Sequence, residues 1–459
     1  MNKRILHLAV PNIISNITVP MLSMVDISLV GHLETNSKLH IGAISLGTMI
    51  FNFIYWGFSF LRMGTSGFTA QAYGKNDSRE SMLTLSRAVA VALGGALLLI
   101  VLQGPIARLG FLILEGSPEV ERLARQYYFI RIWAAPATIG LYALTGWFIG
   151  MQNARIPMVL AIVVNLLNIG FNVLLIRYFG MESDGVALGT VIAQYCGLIL
   201  GIFLFLRYHK SLLVHWSYKA MMELKALRLF FSVNKDIFIR TICLIFVMSF
   251  FTAQSAHIGN TMLAVNSVLL QFFMFFSFVL DGFAYAAEAL TGRFIGEGNR
   301  SRLRQLVNRL FQWGTGFALL FTTAYILLDN QILGLLTNNQ DVLNTSDRFI
   351  YWVYSIPLLT FAAFIWDGIY IGATASKGMR NAMLISTLLI FIPAYYLLIG
   401  PLGNQGLWLA FMLFQTSRGV IQTFLSRYAV FKKLPTFVSK HLNTSIKPGG
   451  YENHQRHND

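Results

Sequence analysis

Apolar stretches recur along the whole 459-residue chain, broken at short intervals by polar turns. Crossing ~30 Å of hydrocarbon takes roughly 20 such residues. The pattern predicts twelve membrane-spanning helices, near residues 9–31, 41–63, 84–112, 126–150, 156–178, 185–207, 231–256, 262–292, 306–328, 348–372, 381–400 and 405–430. A transmembrane barrel would instead alternate polarity in strands of roughly 10 residues. The stretch after Lys3 and Arg4 outruns the ~7–15-residue apolar region of a signal peptide and lacks a small-residue cleavage site. It is expected to stay as the first span.

The two halves of the chain echo each other at one offset, constant to within a residue. "GAISLGTMIFNFIYWGFSF" (Gly42–Phe60) falls on "AVNSVLLQFFMFFSFVLDG" (Ala264–Gly282), and "YGKND" (Tyr73–Asp77) on "IGEGN" (Ile295–Asn299). Tyr128–Pro136 falls on Phe349–Pro357 and Gly185–Thr190 on Gly406–Phe411. Six spans per half is an even number, so the repeats are parallel, as in transporters that rock two bundles about a central site. The expected fold is an all-α polytopic membrane protein with two six-helix lobes. Residues 1–207 form the N-terminal lobe and 231–430 the C-terminal lobe. The linker 208–230, with Trp216, Lys219, Lys225 and Arg228, reads equally as an interfacial helix or an ordinary connector. The polar tail 431–459 reads as disordered.

Composition supports this class. The chain is 55% hydrophobic and only 12% charged, against about a quarter charged in soluble domains. The net charge of +15 raises the question of nucleic acid. Its placement answers it. One set of alternate loops collects most Lys and Arg, and the other has only Lys38, Arg108, Arg122, Arg125, Arg177 and Arg348. This is a topology signal placing both termini in the cytoplasm, and no nucleic-acid partner is expected. Cys196 and Cys243 lie within apolar segments and suggest neither a disulfide framework nor a metal site.

Candidate chemistry lies in the polar residues that the spans retain. Asn12, Asn16, Ser23 and Asp26 follow one helical stripe of the first span. A carboxylate in the membrane costs at least ~2.5–3.5 kcal/mol, so such a group is functional by default. Asp26 can hold a cation when charged and release it on gaining a proton. The competing reading is a static bridge to Arg62 or Arg131. Pro11 and Pro20 each remove a backbone donor from the same span, giving it a place to bend. Asn165, Asn168 and Asn172 share a face of the fifth span, and Thr190 and Gln194 a face of the sixth. Singly these read as interhelical glue; together with Asp26 they predict a polar cavity. In the second half, Asp281 and Glu288 share one face, and Asp367 sits in "FIWDGIYIGA". These acids read equally as cation or proton sites and as ion-pair partners, with Arg418 available to Asp367 or Glu288. Asp236 and Arg240 are expected to pair along one helix. The GxxxG stretches Gly146–Gly150 and Gly185–Gly189 suit close helix packing. No HExxH, Walker A, nucleophile elbow or CxxC occurs, so no enzyme, cofactor or metal is expected.

"VDISLVGHL", "QAYGKND" and its echo "GRFIGEGN" resemble the multidrug and toxic compound extrusion (MATE) family over about residues 5–430. "LDGFAYAAEALTGRFIG" with "WDGIYIGA" resembles its branch named after DNA-damage-inducible protein F. The resemblance implies an inner-membrane antiporter of bacteria that expels organic cations against inward protons or sodium, through V-shaped lobes that alternate access. It implies a proton-coupling role for Asp26, a bend at Pro11 and cavity roles for Asn168 and Thr190. Asn172 departs from the pattern, since many relatives have a second acid there. The seventh span has Gln254 and Ser255 where sodium-driven relatives use an acid, while Asp367 matches an acid of the tenth span in some of them. Protons are therefore favoured over sodium, and a monomer suffices for a cavity within one chain. The rival readings are a lipid-linked oligosaccharide flippase, which would line its cavity with more bases, and a non-transporting sensor or assembly subunit.

Overall fold

Backbone polar groups in hydrocarbon must be satisfied within their own segment, so apolar spans become helices. The computed structural model describes residues 1–31, 37–114 and 116–432; in the first helix, the side chains at 19, 21–24, 26–28, 30 and 31 are outside the described set. The first six spans are α1 (Asn2–Gly31), α2 (Ser37–Gly74), α3 (Ser78–Val101, resuming as Gln103–Ile113), α4 (Pro118–Arg131 and Ala135–Gly150), α5 (Arg155–Phe179) and α6 (Ser183–His209). The second six are α7 (Leu224–Ile258), α8 (Asn260–Gly296), α9 (Arg300–Leu336), α10 (Ile350–Gly372), α11 (Ser376–Leu384 and Ile392–Leu402) and α12 (Asn404–Ser426). Most run several residues beyond their apolar cores at one or both ends. Two are interrupted next to proline. A 3-10 turn, Ile132–Ala134, precedes Pro136 in α4, and a π-helical stretch, Ile385–Phe391, precedes Pro393 in α11. Proline lacks an N–H and its ring presses on the preceding turn, so the ladder must tighten or widen there.

The internal repeat is visible in backbone detail. Asp77 caps α3 by accepting from Glu80 N at 2.9 Å, and Asn299 caps α9 by accepting from Arg302 N at 3.0 Å. The turns before these caps carry positive φ at Asn76 (56°) and Gly298 (66°); those after α4 and α10 carry it at Gln152 (64°) and Thr374 (47°). Equivalent sequence positions thus adopt equivalent unusual conformations.

Within each lobe the second span packs on the fourth, α2 on α4 and α8 on α10. The lobes meet where α1 packs on α8, and where α2 packs on both α7 and α8. At the face bearing the chain start, hereafter the terminal face, this contact is backbone to backbone. A Cβ at Gly74 would strike the Arg293 carbonyl, and one at Gly296 the Gln71 carbonyl. Only glycine allows that approach. Gln71 Nε2 adds hydrogen bonds to Gly372 O (3.0 Å) and Thr374 Oγ1 (3.1 Å), and Gln152 Nε2 one to Ala289 O (2.8 Å). The terminal face is closed by these contacts.

Both GxxxG stretches serve as contact faces. A Cβ at Gly146 would meet the Arg62 carbonyl, and one at Gly189 would meet the Asn172 side chain. Between the lobes, Lys210–His215 and Tyr218–Met221 form two short turns before α7 begins at Leu224. Buried Arg87 of α3 ties down the second of them. Its Nε donates to Met221 O (3.3 Å) and its Nη2 to Ala220 O (3.2 Å).

Candidate functional site

A cavity of about 420 Å³ lies within the N-terminal lobe, walled by α1, α2, α4, α5 and α6, with Tyr285 reaching in from α8. Its wall is aromatic and amide-rich: Tyr55, Trp56, Tyr142 and Tyr285 face it with Asn12, Asn16, Asn165, Thr190 and Gln194. Five of the residues read from the sequence as cavity-lining, Asn12, Asn16, Asn165, Thr190 and Gln194, therefore line one cavity. Asn168 and Asn172 stand one layer behind it, fully or almost fully buried. Asn172 Nδ2 donates to Asn168 Oδ1 (2.9 Å), Asn168 Nδ2 to Thr190 Oγ1 (2.9 Å), and Thr190 Oγ1 to Val186 O (2.8 Å). This chain of donors fixes the Thr190 hydroxyl at the wall. Buried polar groups in such a sequence order one another because each unmet partner costs free energy. The side chains of Ser23 and Asp26 lie outside the described residues.

α1 runs unbroken past Pro11 and Pro20. Its side chains add hydrogen bonds to backbone carbonyls along the proline-bearing stretch. Asn12 Nδ2 donates to Leu8 O (2.7 Å), Ser15 Oγ to Pro11 O (3.0 Å), and Thr18 Oγ1 to Ser15 O (2.7 Å). Polar side chains commonly make proline tolerable in a membrane helix this way. Asn16 Nδ2 donates across the lobe boundary to Phe278 O at 3.1 Å. The helix expected to bend is thus tied to the opposite lobe at a residue that also lines the cavity.

The acids of the C-terminal lobe divide between two settings. Asp367, buried on α10, bonds Arg240 of α7 directly, accepts from Arg418 Nη2 at 2.6 Å, and receives Gln422 Nε2 at 2.7 Å on its other oxygen. Arg418 Nη1 also donates to Gln415 Oε1 at 2.5 Å. Both oxygens of Asp367 are therefore engaged, and of its two candidate acids Arg418 serves Asp367. The expected Asp236–Arg240 pair does not form. Asp236 instead accepts from Arg380 Nη1 (2.6 Å) and Ser376 Oγ (2.9 Å), because α11 packs against α7 there and offers a closer base. Helical spacing allowed the pair; the neighbouring helices took both partners.

Glu288 is paired across the lobes. Its Oε2 lies 3.6 Å from Arg62 Nη1 of α2, and the guanidinium lies over the Tyr285 ring at 4.1 Å. Asp281, on the same face of α8, makes no ion pair among the described residues, but feels the charges of Arg240 and Arg62. The second base of the cavity wall, Arg131, donates to Thr48 Oγ1 (3.1 Å) and bonds the Tyr127 hydroxyl, with Phe51 at 5.0 Å. The sequence reading held Arg62 and Arg131 only as partners for Asp26. Their position as lone bases inside apolar runs was the available sign of a functional setting.

A family model described as MatE matches residues 11–174 and 237–397. The chain is 36% identical over 420 residues to DNA damage-inducible protein F of Escherichia coli (strain K12), covering 91% of this chain and 90% of that one. It is 20% identical over 404 residues to Multidrug export protein MepA of Staphylococcus aureus (strain MSSA476), covering 88% of each. Its fold is similar to a crystal structure of MATE in the bent conformation, with a TM-score of 0.84 at 18% identity, over 94% of this chain and 96% of that one.

Proposed function

Because this chain belongs to the MatE family, we propose that it is a secondary-active antiporter expelling organic cations by alternating access, driven by inward protons rather than sodium. That it is a membrane transporter of small molecules, of the multidrug-efflux kind and not an enzyme, follows from the membership itself. The proposal adds the cargo charge, the coupling ion and the site residues. It also sets the protein in the inner (plasma) membrane of a bacterium, as a monomer with both termini cytoplasmic, in keeping with the loop distribution of Lys and Arg.

The observation that carries the proposal is the cavity in the N-terminal lobe. Its aromatic faces suit a flat cation, and its amides give orientation without demanding one shape. Asn12, Asn16, Ser23, Thr190 and Gln194 would contact cargo, with Asn168 and Asn172 holding Thr190 in place. The contacts at the terminal face are in keeping with a state that opens outward. From there an external proton would neutralise Asp26, α1 would reshape around Pro11 and Pro20, and the cavity would lose its hold on the cation. Asp281 and Glu288 are the further coupling candidates. Asp367, with both oxygens engaged, is better suited to holding α7, α10 and α12 together than to carrying a travelling proton.

The test is transport by purified protein in liposomes under an imposed proton gradient and, separately, an imposed sodium gradient. Dye uptake driven by the proton gradient alone supports the proposal. Uptake driven only by sodium overturns the choice of ion, and no transport of any cationic dye under either gradient overturns the antiport reading.

A further inference from the structure

Arg62 belongs to two places at once. It lines the cavity of the N-terminal lobe together with Tyr285, the ring it stacks on. It also faces Glu288 of the opposite lobe. The pair is buried yet loose. At 3.6 Å it exceeds hydrogen-bond length, and both Arg62 Nη1 and Glu288 Oε1 are buried without a hydrogen-bond partner among the described residues. A buried guanidinium and carboxylate normally close to about 2.7–2.9 Å, where a charge-assisted bond repays their desolvation. A pair held short of that contact lacks the charge-assisted hydrogen bond, so an anionic group on the cargo could replace its Coulomb attraction and add the missing bond. The cavity gives Arg62 somewhere to turn.

The wall around it sharpens the chemistry. Besides Arg62, the cavity carries Arg131, whose Nη1 already bonds the Thr48 and Tyr127 hydroxyls. None of the described residues on the wall is an acid. Among the described residues, a purely cationic cargo would meet two bases there. A cargo with an anionic or strong acceptor group beside its aromatic body would satisfy the open donor of Arg62 while its ring rests on Tyr285.

We propose that Arg62 is a specificity-determining residue that recognises an anionic group on the cargo, in competition with Glu288. Cargo carrying a carboxylate draws the guanidinium away from Glu288, so loading the cavity weakens a tie between the lobes. The preferred cargo is then amphoteric, an aromatic cation that also bears an anionic group. This rests on the transport reading above and narrows it.

The probes are a rhodamine dye with a free carboxylate and its methyl ester, which share an aromatic cation and differ in the anionic group. Binding to purified full-length protein is followed by fluorescence anisotropy, and the readout is the ratio of the two affinities. Wild type is expected to favour the carboxylate. Arg62→Gln is expected to lower the ratio about tenfold, as loss of a charge-assisted hydrogen bond does. Glu288→Gln, which removes the competitor, is expected to raise it. Arg62→Lys keeps the charge but not the planar fork, and is expected to fall between wild type and Arg62→Gln. Should Arg62→Gln not fold, the opposite-signed effect of Glu288→Gln and the intermediate value of Arg62→Lys decide the matter. A ratio unchanged in all foldable variants, or a wild type that favours the ester, overturns the proposal while leaving ester transport under a proton gradient intact. A wild type that neither binds nor transports either dye overturns this proposal together with the transport reading beneath it.

Discussion

Gly74 of α2 and Gly296 of α8 make the same contact in opposite directions. Gly74 lies against the Arg293 carbonyl, and Gly296 against the Gln71 carbonyl. The exchange is two-fold, as the internal repeat requires, and the Gln71 and Gln152 side chains bond beside it. Backbone-to-backbone packing is short-range, so the contact is either made or absent. That suits a transporter whose two lobes must part at this face in the other half of the cycle.

Gly296→Leu should therefore wedge the terminal face. Overpacking costs roughly 1–3 kcal/mol, enough to shift a two-state balance by about tenfold or more. Dye efflux is expected to fall by about that factor with the protein still present in the membrane. A cysteine placed at Gln71 should become more reactive towards a water-soluble thiol reagent. Normal efflux with an unreactive thiol would show that the contact tolerates bulk.

Asp367→Ala should be among the more destabilising single changes in the C-terminal lobe. It leaves Arg240 and Arg418 buried without their shared counter-charge. Breaking a buried pair by removing one partner costs roughly 3–5 kcal/mol. The expected outcome is a marked drop in detergent melting temperature, with Asp367→Asn milder because an amide keeps an acceptor for one guanidinium. If Asp367→Ala melts as wild type but loses transport, the residue serves coupling.

Asn168→Leu should act through Thr190. The change removes the donor to Thr190 Oγ1 and the acceptor for Asn172 Nδ2. Interhelical hydrogen bonds of this kind are typically worth ~0.6 kcal/mol and reach ~1.7 kcal/mol. Cargo affinity is expected to fall by about threefold to twentyfold, with maximal rate less affected. Direct binding by anisotropy separates this from a loss of folded protein.

Asp26→Asn should abolish the pH dependence of cargo release. On the proposed mechanism protonation would remove a negative charge that holds the cation, so wild-type affinity is expected to rise as external pH rises. The amide mimics the protonated acid at every pH, so the variant should stay at the low-affinity end. Cargo binding measured across the pH range checks this; a variant with the wild-type slope excludes Asp26 from coupling.

Much of the architecture was legible because it is written locally. Apolar run length set the spans, and the two halves could be laid over one another residue by residue, though the helices that start at Ser78 and Arg300 begin about six residues before their apolar runs. The cavity was partly legible for the same reason. Helical spacing places Asn12 and Asn16 on one stripe of α1, and Thr190 and Gln194 on one stripe of α6, and both stripes line the same cavity.

The pairing of charges was not legible. Asp236 and Arg240 are four apart on one helix, yet each turned to a partner on another: Arg240 to Asp367, which is 127 residues away in sequence, and Asp236 to Arg380, 144 away. Periodicity tells which way a side chain points but not which helix stands opposite. Arg62 shows the same limit, since its meeting with Glu288 and its place on the cavity wall depend on how closely glycines let α2 and α8 approach. The sequence alone determined the helices, their order and their polar faces, because these follow from each residue's own solubility in lipid. Only the tertiary structure decided which charges meet and which amides reach the cavity, because those depend on distances between residues that the chain itself keeps far apart.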